Sequence, residues 1–201
     1  MAFTDRLHNR GSVSTGFNID NSTLIDFTRN DYLTRTHSDG NRTTGTISIW
    51  IKRGRLGQLG FIWELGDADS LNGRLFARFQ TDDKLRIATG TSTLLETNRL
   101  FRDVGAWYHI VLTVDTGNST AGDRVRLYVN GERETSFGTT NNVNQNENLG
   151  IGNGRTVMGR SQIDNAHSFD GYMTEFNYMD GTAYAADQFG EFNDEGEWIP
   201  L

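Results

Sequence analysis

The sequence predicts an all-β protein, a two-sheet antiparallel sandwich with one short helix near its C-terminal end. Apolar and polar residues alternate with period two over most of the 201 residues, the pattern of half-buried strands. About ten such segments follow at short spacing, separated by Gly- and Asn-rich turns, which is the rhythm of stacked antiparallel sheets. Only one stretch has a helical look, and Pro occurs once against 23 Gly.

In chain order, "STLIDFTRNDYLTRT" (22–36) reads as a strand, a bend and a second short strand. Ile47, Ile49 and Ile51 alternate with Ser48, Trp50 and Lys52, and Phe61, Trp63 and Leu65 form one face of the next strand. Leu75, Ala77 and Phe79 oppose Arg74, Phe76 and Arg78; Leu85 and Ile87 oppose Lys84 and Arg86. Tyr108, Ile110, Leu112 and Val114 share a face, as do Val125, Leu127 and Val129, set against Arg124, Arg126 and Tyr128. Asn130-Gly131 then supplies the two positive-φ residues of a type I′ hairpin. Residues 138–155 read as one long polar loop with at most a short strand. "FDGYMTEFNYMDG" (169–181) is apolar on both faces, which predicts a central, covered strand. In "TAYAADQFG" (182–190), Thr182 is placed to cap a short surface helix and Gly190 to end it.

Composition excludes several function classes. With no Cys there are neither disulfides nor thiolate metal sites. No apolar run approaches a membrane span, the start lacks the apolar core of a secretory signal, and the net charge of −7 argues against nucleic acid as a partner. Charge is also uneven. All 19 basic residues lie in residues 1–160 with 17 acidic ones, while nine acidic residues and no Lys or Arg follow Arg160. Such asymmetry can steer association between copies or with a partner, or fold back on the chain's own arginines.

Several stretches carry a family resemblance. "WYHIVLTVDTGNSTAGDRVRLYVNGE" (107–132) resembles the most recognisable strand pair of the laminin G-like, concanavalin A-like superfamily. "DYLTRTHSDGNRTTGTISIWIKRGRLG" (31–57) and "GYMTEFNYMDGTAYAADQFGEFNDEGEWIP" (171–200) are similar to the first strands and the closing block of such modules in virion proteins of tailed, often marine, bacteriophages. The resemblance implies a jelly roll with its first and last strands adjacent over residues 21–201. It also implies a virion-surface structural protein, a capsid or tail decoration or fibre component, made in the host cytoplasm. The partners to expect are other virion subunits and further copies of the chain, with host surface polysaccharide as the alternative for a lectin-like module. Residues 1–20 lie outside the resemblance. With Phe3, Arg6, Leu7 and Arg10 among small polar residues, they read as a docking arm.

No catalytic residue is assigned and no enzyme is expected. Glycosidases of this superfamily set paired carboxylates across a cleft, but the Glu-x-Asp-x-x-Glu strand pattern of one branch is missing. Glu132/Glu134 and Glu195/Glu197 sit where solvated roles are expected. His8, His37, His109 and His167 are scattered, and His109 reads as a hydrogen-bonded structural residue. No cofactor is required. The resemblance makes Ca²⁺ the metal to consider, in a loop with Asp67, Asp69 and Asn72 or in one with Asp115, Asn118 and Asp123, although Asp and Asn are also ordinary turn residues. Trp50 and Tyr128 are candidate glycan contacts. Arg74, Arg78, Arg86, Arg124 and Arg126 stand on the non-core phase of their strands and would form one arginine face if those strands are neighbours. That face is either simply solvated or a contact surface for an acidic partner.

Overall fold

A computed structural model of the chain describes residues 19, 21–66, 73–90, 92–152, 154–163 and 166–201. Within them the alternating segments pair into two large antiparallel sheets. The six-stranded sheet runs, in spatial order, β1 (Thr23–Ile25), β13 (Gly171–Asp180), β3 (Thr44–Arg53), β8 (Trp107–Asp115), β9 (Val125–Val129) and β10 (Glu132–Arg133). The seven-stranded sheet runs β11 (Phe137–Thr140), β7 (Ser92–Leu100), β6 (Lys84–Thr89), β5 (Arg74–Phe79), β4 (Gly60–Gly66), β12 (Arg155–Met158) and β2 (Leu33–Thr36). A hairpin of β14 (Gly190–Phe192) and β15 (Trp198–Pro200) stands apart from both. The first strand pairs with β13, so the two ends of the sandwich meet as a jelly roll requires.

The core lies between the sheets and is built from the predicted faces. Ile47, Ile49, Ile51, Ile110, Leu112, Val114, Leu127 and Val129 come from one sheet; Leu65, Leu75, Ala77, Phe79, Leu85 and Ile87 come from the other. Asn130 and Gly131 take φ of 49° and 81°, the left-handed pair that a two-residue hairpin of this twist demands. A Cβ on Gly131 would stand 2.3 Å from Trp198 Cε3, so this turn also needs glycine for room. Gly131→Ala is expected to destabilise the fold by about 2–4 kcal/mol, combining backbone strain with overpacking. An unchanged denaturant midpoint would contradict that account.

Four expectations change. A β-bulge between Phe61 and Trp63 lets Ile62 and Trp63 both enter the core and turns Phe61 to the outer face. A second bulge, with Glu175 at φ 49°, reverses the phase of β13, so that Met173 points inward before it and Phe176 and Tyr178 after it. That reversal, rather than a central position, explains why β13 looked apolar on both faces; it lies next to the short edge strand β1, and Tyr172 is exposed. The loop within 138–155 is more than a polar connection, because Val143, Leu149 and Ile151 are core residues.

The fourth change is the helix, which shrinks to one 3-10 turn at Ala186–Gln188. Thr182 is not its cap, because the N-cap position is Ala185; the Thr182 carbonyl instead accepts from Thr46 Oγ1 at 2.8 Å. Thr46 Oγ1 in turn accepts from the Tyr184 N–H at 2.8 Å, and the Tyr184 carbonyl accepts from Thr113 Oγ1. Two sheet hydroxyls therefore hold this backbone extended, which outweighs a weak local helix propensity.

Candidate functional site

The outer faces of the two sheets differ, and that difference locates the candidate site. On the six-stranded sheet, the outward residues Thr46, Ser48, Trp50, His109, Val111 and Thr113 are all buried. The closing segment covers them. His109 stacks on Trp50, with ring centroids 4.7 Å apart, and lies edge to edge with Trp198, at 5.9 Å. Phe189 meets the His109 ring edge-on and Phe192 meets Trp198.

The hydrogen bonds of His109 settle its tautomer. Trp198 Nε1–H, which can only donate, donates a hydrogen bond to Nδ1 at 2.9 Å. The ring's own proton is then on Nε2, facing Ser48 Oγ at 2.8 Å. Burial holds its pKa down at about 3, so the ring is neutral at pH 7. The structural role expected for His109 is the one observed. Trp50, by contrast, is only 2% exposed and cannot receive a sugar, while Tyr128, two strands away on β9, is half-buried.

The seven-stranded sheet keeps a groove of about 370 Å³ on its outer side. The pleat puts Arg74, Phe76 and Arg78 of β5 beside Arg86 and Ala88 of β6, and the bulge in β4 adds Phe61. Arg78 lies directly opposite Arg86 in the strand register, and Phe76 opposite Ala88. Phe61, Phe76 and Ala88 form a small apolar cluster separate from the core. The Arg78 guanidinium sits over both rings, 5.3 Å from Phe61 and 5.5 Å from Phe76. Arg86 is paired with Glu96 at 2.6 Å, and the buried Arg74 with Glu64 at 2.5 Å. The Gln80 amide lies 3.0 Å from Arg86 Nε and 3.1 Å from Arg78 Nε, so its carbonyl end belongs between them. Thr93, Ser161 and His167 complete the rim.

The expected arginine face therefore splits. Arg74, Arg78 and Arg86 come together, whereas Arg126 lies on β9 of the opposite sheet and Arg124 just before it. Arg124 is spent on carbonyls, donating from Nε to Asn118 and from Nη1 to Val143, each at 2.9 Å. Pairing on the non-core phase said nothing about which sheet a strand joins. The aromatic floor went unrecognised because Phe61 read as core. Phe76, flanked by arginines on the polar phase, was the available signal.

A larger cleft of about 470 Å³ opens at the sandwich edge between β2 and β13. Two of its polar pairs are mutually bonded, His37 with Thr156 and Tyr178 with Asp180. Tyr178 donates to Asp180 Oδ1, which also accepts from the Asn41 N–H, while burial and then the Asp180 charge push the Tyr178 pKa upward. In the Asp115/Asn118/Asp123 loop, Asp123 pairs with Arg133 at 2.6 Å and Asn118 Oδ1 accepts from Thr120 N–H at 2.9 Å. Among the described residues no group of three or more His, Asp or Glu is placed to hold a metal. The other Ca²⁺ candidates, Asp67, Asp69 and Asn72, and the arm residues Phe3, Arg6, Leu7 and Arg10 lie outside the described residues. Glu134 is not solvated as expected: its carboxylate binds Arg99 at 2.8 Å and accepts from the Thr135 and Ser136 N–H groups.

The model of one protein family, the concanavalin A-like lectin/glucanases superfamily, matches residues 27–187. No curated protein matches the chain in sequence. Among solved structures, a heptameric SAP-like pentraxin from Limulus polyphemus is similar with a TM-score of 0.56 and 17% identity, over 78% of this chain and 72% of that one. The CBM40 of a Ruminococcus gnavus IT-sialidase, bound to α2,3-sialyllactose, gives 0.55 and 13% over 78% and 95%. Domains LG4-5 of mouse laminin α1 give 0.56 and 11% over 91% and 45%. At these identities the structures speak to fold alone, and all three agree with the two-sheet sandwich. Through the match to 27–187, the chain belongs to the concanavalin A-like lectin/glucanases superfamily.

Proposed function

We propose that this chain is a non-enzymatic binding module of a tailed-bacteriophage particle, held by neighbouring capsid or tail subunits and working in several copies. The observation that carries this reading is the closing block, 171–200, whose sequence resembles the end of phage virion modules. Its structure suits a building element. The block folds back over its own sheet through Trp198, which bonds His109 where that ring stacks on Trp50, giving a slab with one face closed. Of the carboxylates closest to a glycosidase pairing, Glu134 is engaged structurally with Arg99. Antibody-gold labelling of intact particles tests the reading. Gold on heads or tails is expected, and unlabelled particles, with an antibody that recognises the native protein, would remove it.

A second reading is favoured by the arginine groove: a sugar-binding module for host attachment. The groove is in the size range of small-ligand sites, and the fold is shared with a CBM40 that was solved with sialyllactose bound.

A further inference from the structure

The groove on the seven-stranded sheet gathers three arginines, Arg74, Arg78 and Arg86, along one lining. Arg78 and Arg86 face each other across β5 and β6, with the Gln80 carbonyl 3.1 Å and 3.0 Å from their Nε atoms. Among the groove's described lining residues there are three arginines and no carboxylate, on a chain of net charge −7. The guanidinium groups are also held in place rather than left to wander. Arg78 rides over the Phe61 and Phe76 rings, Arg86 is fixed from one side by Glu96, and Arg74 is locked to Glu64 beneath. Pre-positioned guanidinium forks suit planar carboxylates, which they bind through paired charge-assisted hydrogen bonds. The rim hydroxyls of Thr93 and Ser161 add the polar partners that a saccharide needs and a simple anion does not.

We propose that this groove binds a carboxylate-bearing saccharide, the acid group held between Arg78 and Arg86 and the ring hydroxyls facing the Thr93–Ser161 rim. The aromatic floor orients the guanidiniums and keeps water from beneath them. This assignment rests on the sugar-binding reading and narrows it to one ligand class and one face.

The test is calorimetric titration of the full chain with two acidic probes, 3′-sialyllactose and trigalacturonate, against their neutral counterparts, lactose and the trigalacturonate methyl ester. At least one acidic probe is expected to bind about ten-fold or more tightly than its counterpart, and which one binds separates sialate from uronate. Arg78→Gln and Arg86→Gln are each expected to weaken it by about ten-fold, and Arg78→Lys, which keeps the charge but loses the fork, by nearly as much. Arg35→Gln, on the exposed edge strand β2, should leave binding unchanged. Circular dichroism and melting of each variant confirm that it is folded. Acidic and neutral sugars binding alike would overturn the carboxylate assignment while leaving the sugar-binding reading intact. Acidic binding indifferent to Arg78 and Arg86 would overturn the site. A hexaglutamate peptide binding as well as the sugars would show a charge-only patch and sink the saccharide assignment. Silence from all four sugars would remove the sugar-binding reading together with this one.

Discussion

Asp83→Asn is expected to lower the melting temperature by roughly 10 °C, from a loss of about 3–5 kcal/mol. Asp83 sits at the tip between β5 and β6 with φ 67°, a conformation that Asn also tolerates, so the substitution removes charge with little backbone strain. Its carboxylate binds Arg53 at 3.1 Å, Arg102 at 3.0 Å and the Gly57 N–H at 2.8 Å. Arg53 is buried, lies 4.1 Å over the Phe79 ring and donates to the Phe101 carbonyl at 2.5 Å. Burial by itself would raise the Asp83 pKa, but the Gly57 N–H and the two arginines outweigh it and hold the carboxyl below its usual range. Without that carboxylate, Arg53 is a buried cation lacking its counter-charge, and Arg102 is too exposed to matter as much. Pairing Asp83→Asn with Arg53→Met should recover part of the loss, because the uncompensated charge is then gone as well. A single variant that melts within a degree or two of the parent would show that the network contributes little.

Acidification should loosen the domain well above the pH at which carboxylates protonate. His109 has a folded pKa of about 3 against an ordinary 6.5, so between those values the unfolded chain holds more protons than the folded one. Stability from this group is therefore complete above about pH 6.5 and falls as pH drops toward 3. From pH 7.5 to 4.5 the loss is roughly 2–3 kcal/mol. The physical event is loss of an acceptor: protonated Nδ1 would confront the Trp198 N–H, and the charged ring would be buried with no carboxylate against it among the described residues. Thermal melts at pH 7.5 and 4.5, for the parent and for His109→Gln, check this. The parent should lose several degrees, while the variant starts lower and changes much less. Equal slopes for the two proteins would assign the acid effect to other groups. Fluorescence of Trp198 followed over the same range would show whether the closing hairpin leaves the sheet first.

The fold was legible because period-two alternation is a local property imposed by the pleat, and a buried face must be apolar wherever its strand ends up. Ile47/Ile49/Ile51, Ile110/Leu112/Val114 and the Asn130-Gly131 turn all stand as the sequence predicts. What misled were residues whose phase depends on a bulge. One extra residue at Ile62 sends Phe61 outward, and another at Glu175 reverses β13; neither insertion leaves a mark in the local pattern. The helix at 182–190 failed for a related reason, since hydroxyls more than sixty residues away in sequence hold its backbone extended.

The sequence by itself determined the all-β class, the two core faces, the hairpin tip and the presence of arginines on outward phases, since each follows from neighbours within a few residues. Only the tertiary structure decided which outward faces meet. It joined Arg74, Arg78 and Arg86 on one sheet, sent Arg126 to the other, and buried Trp50 against His109. Strand order and the course of the closing segment are set by contacts between distant parts of the chain, and those contacts choose which polar face stays open to a ligand.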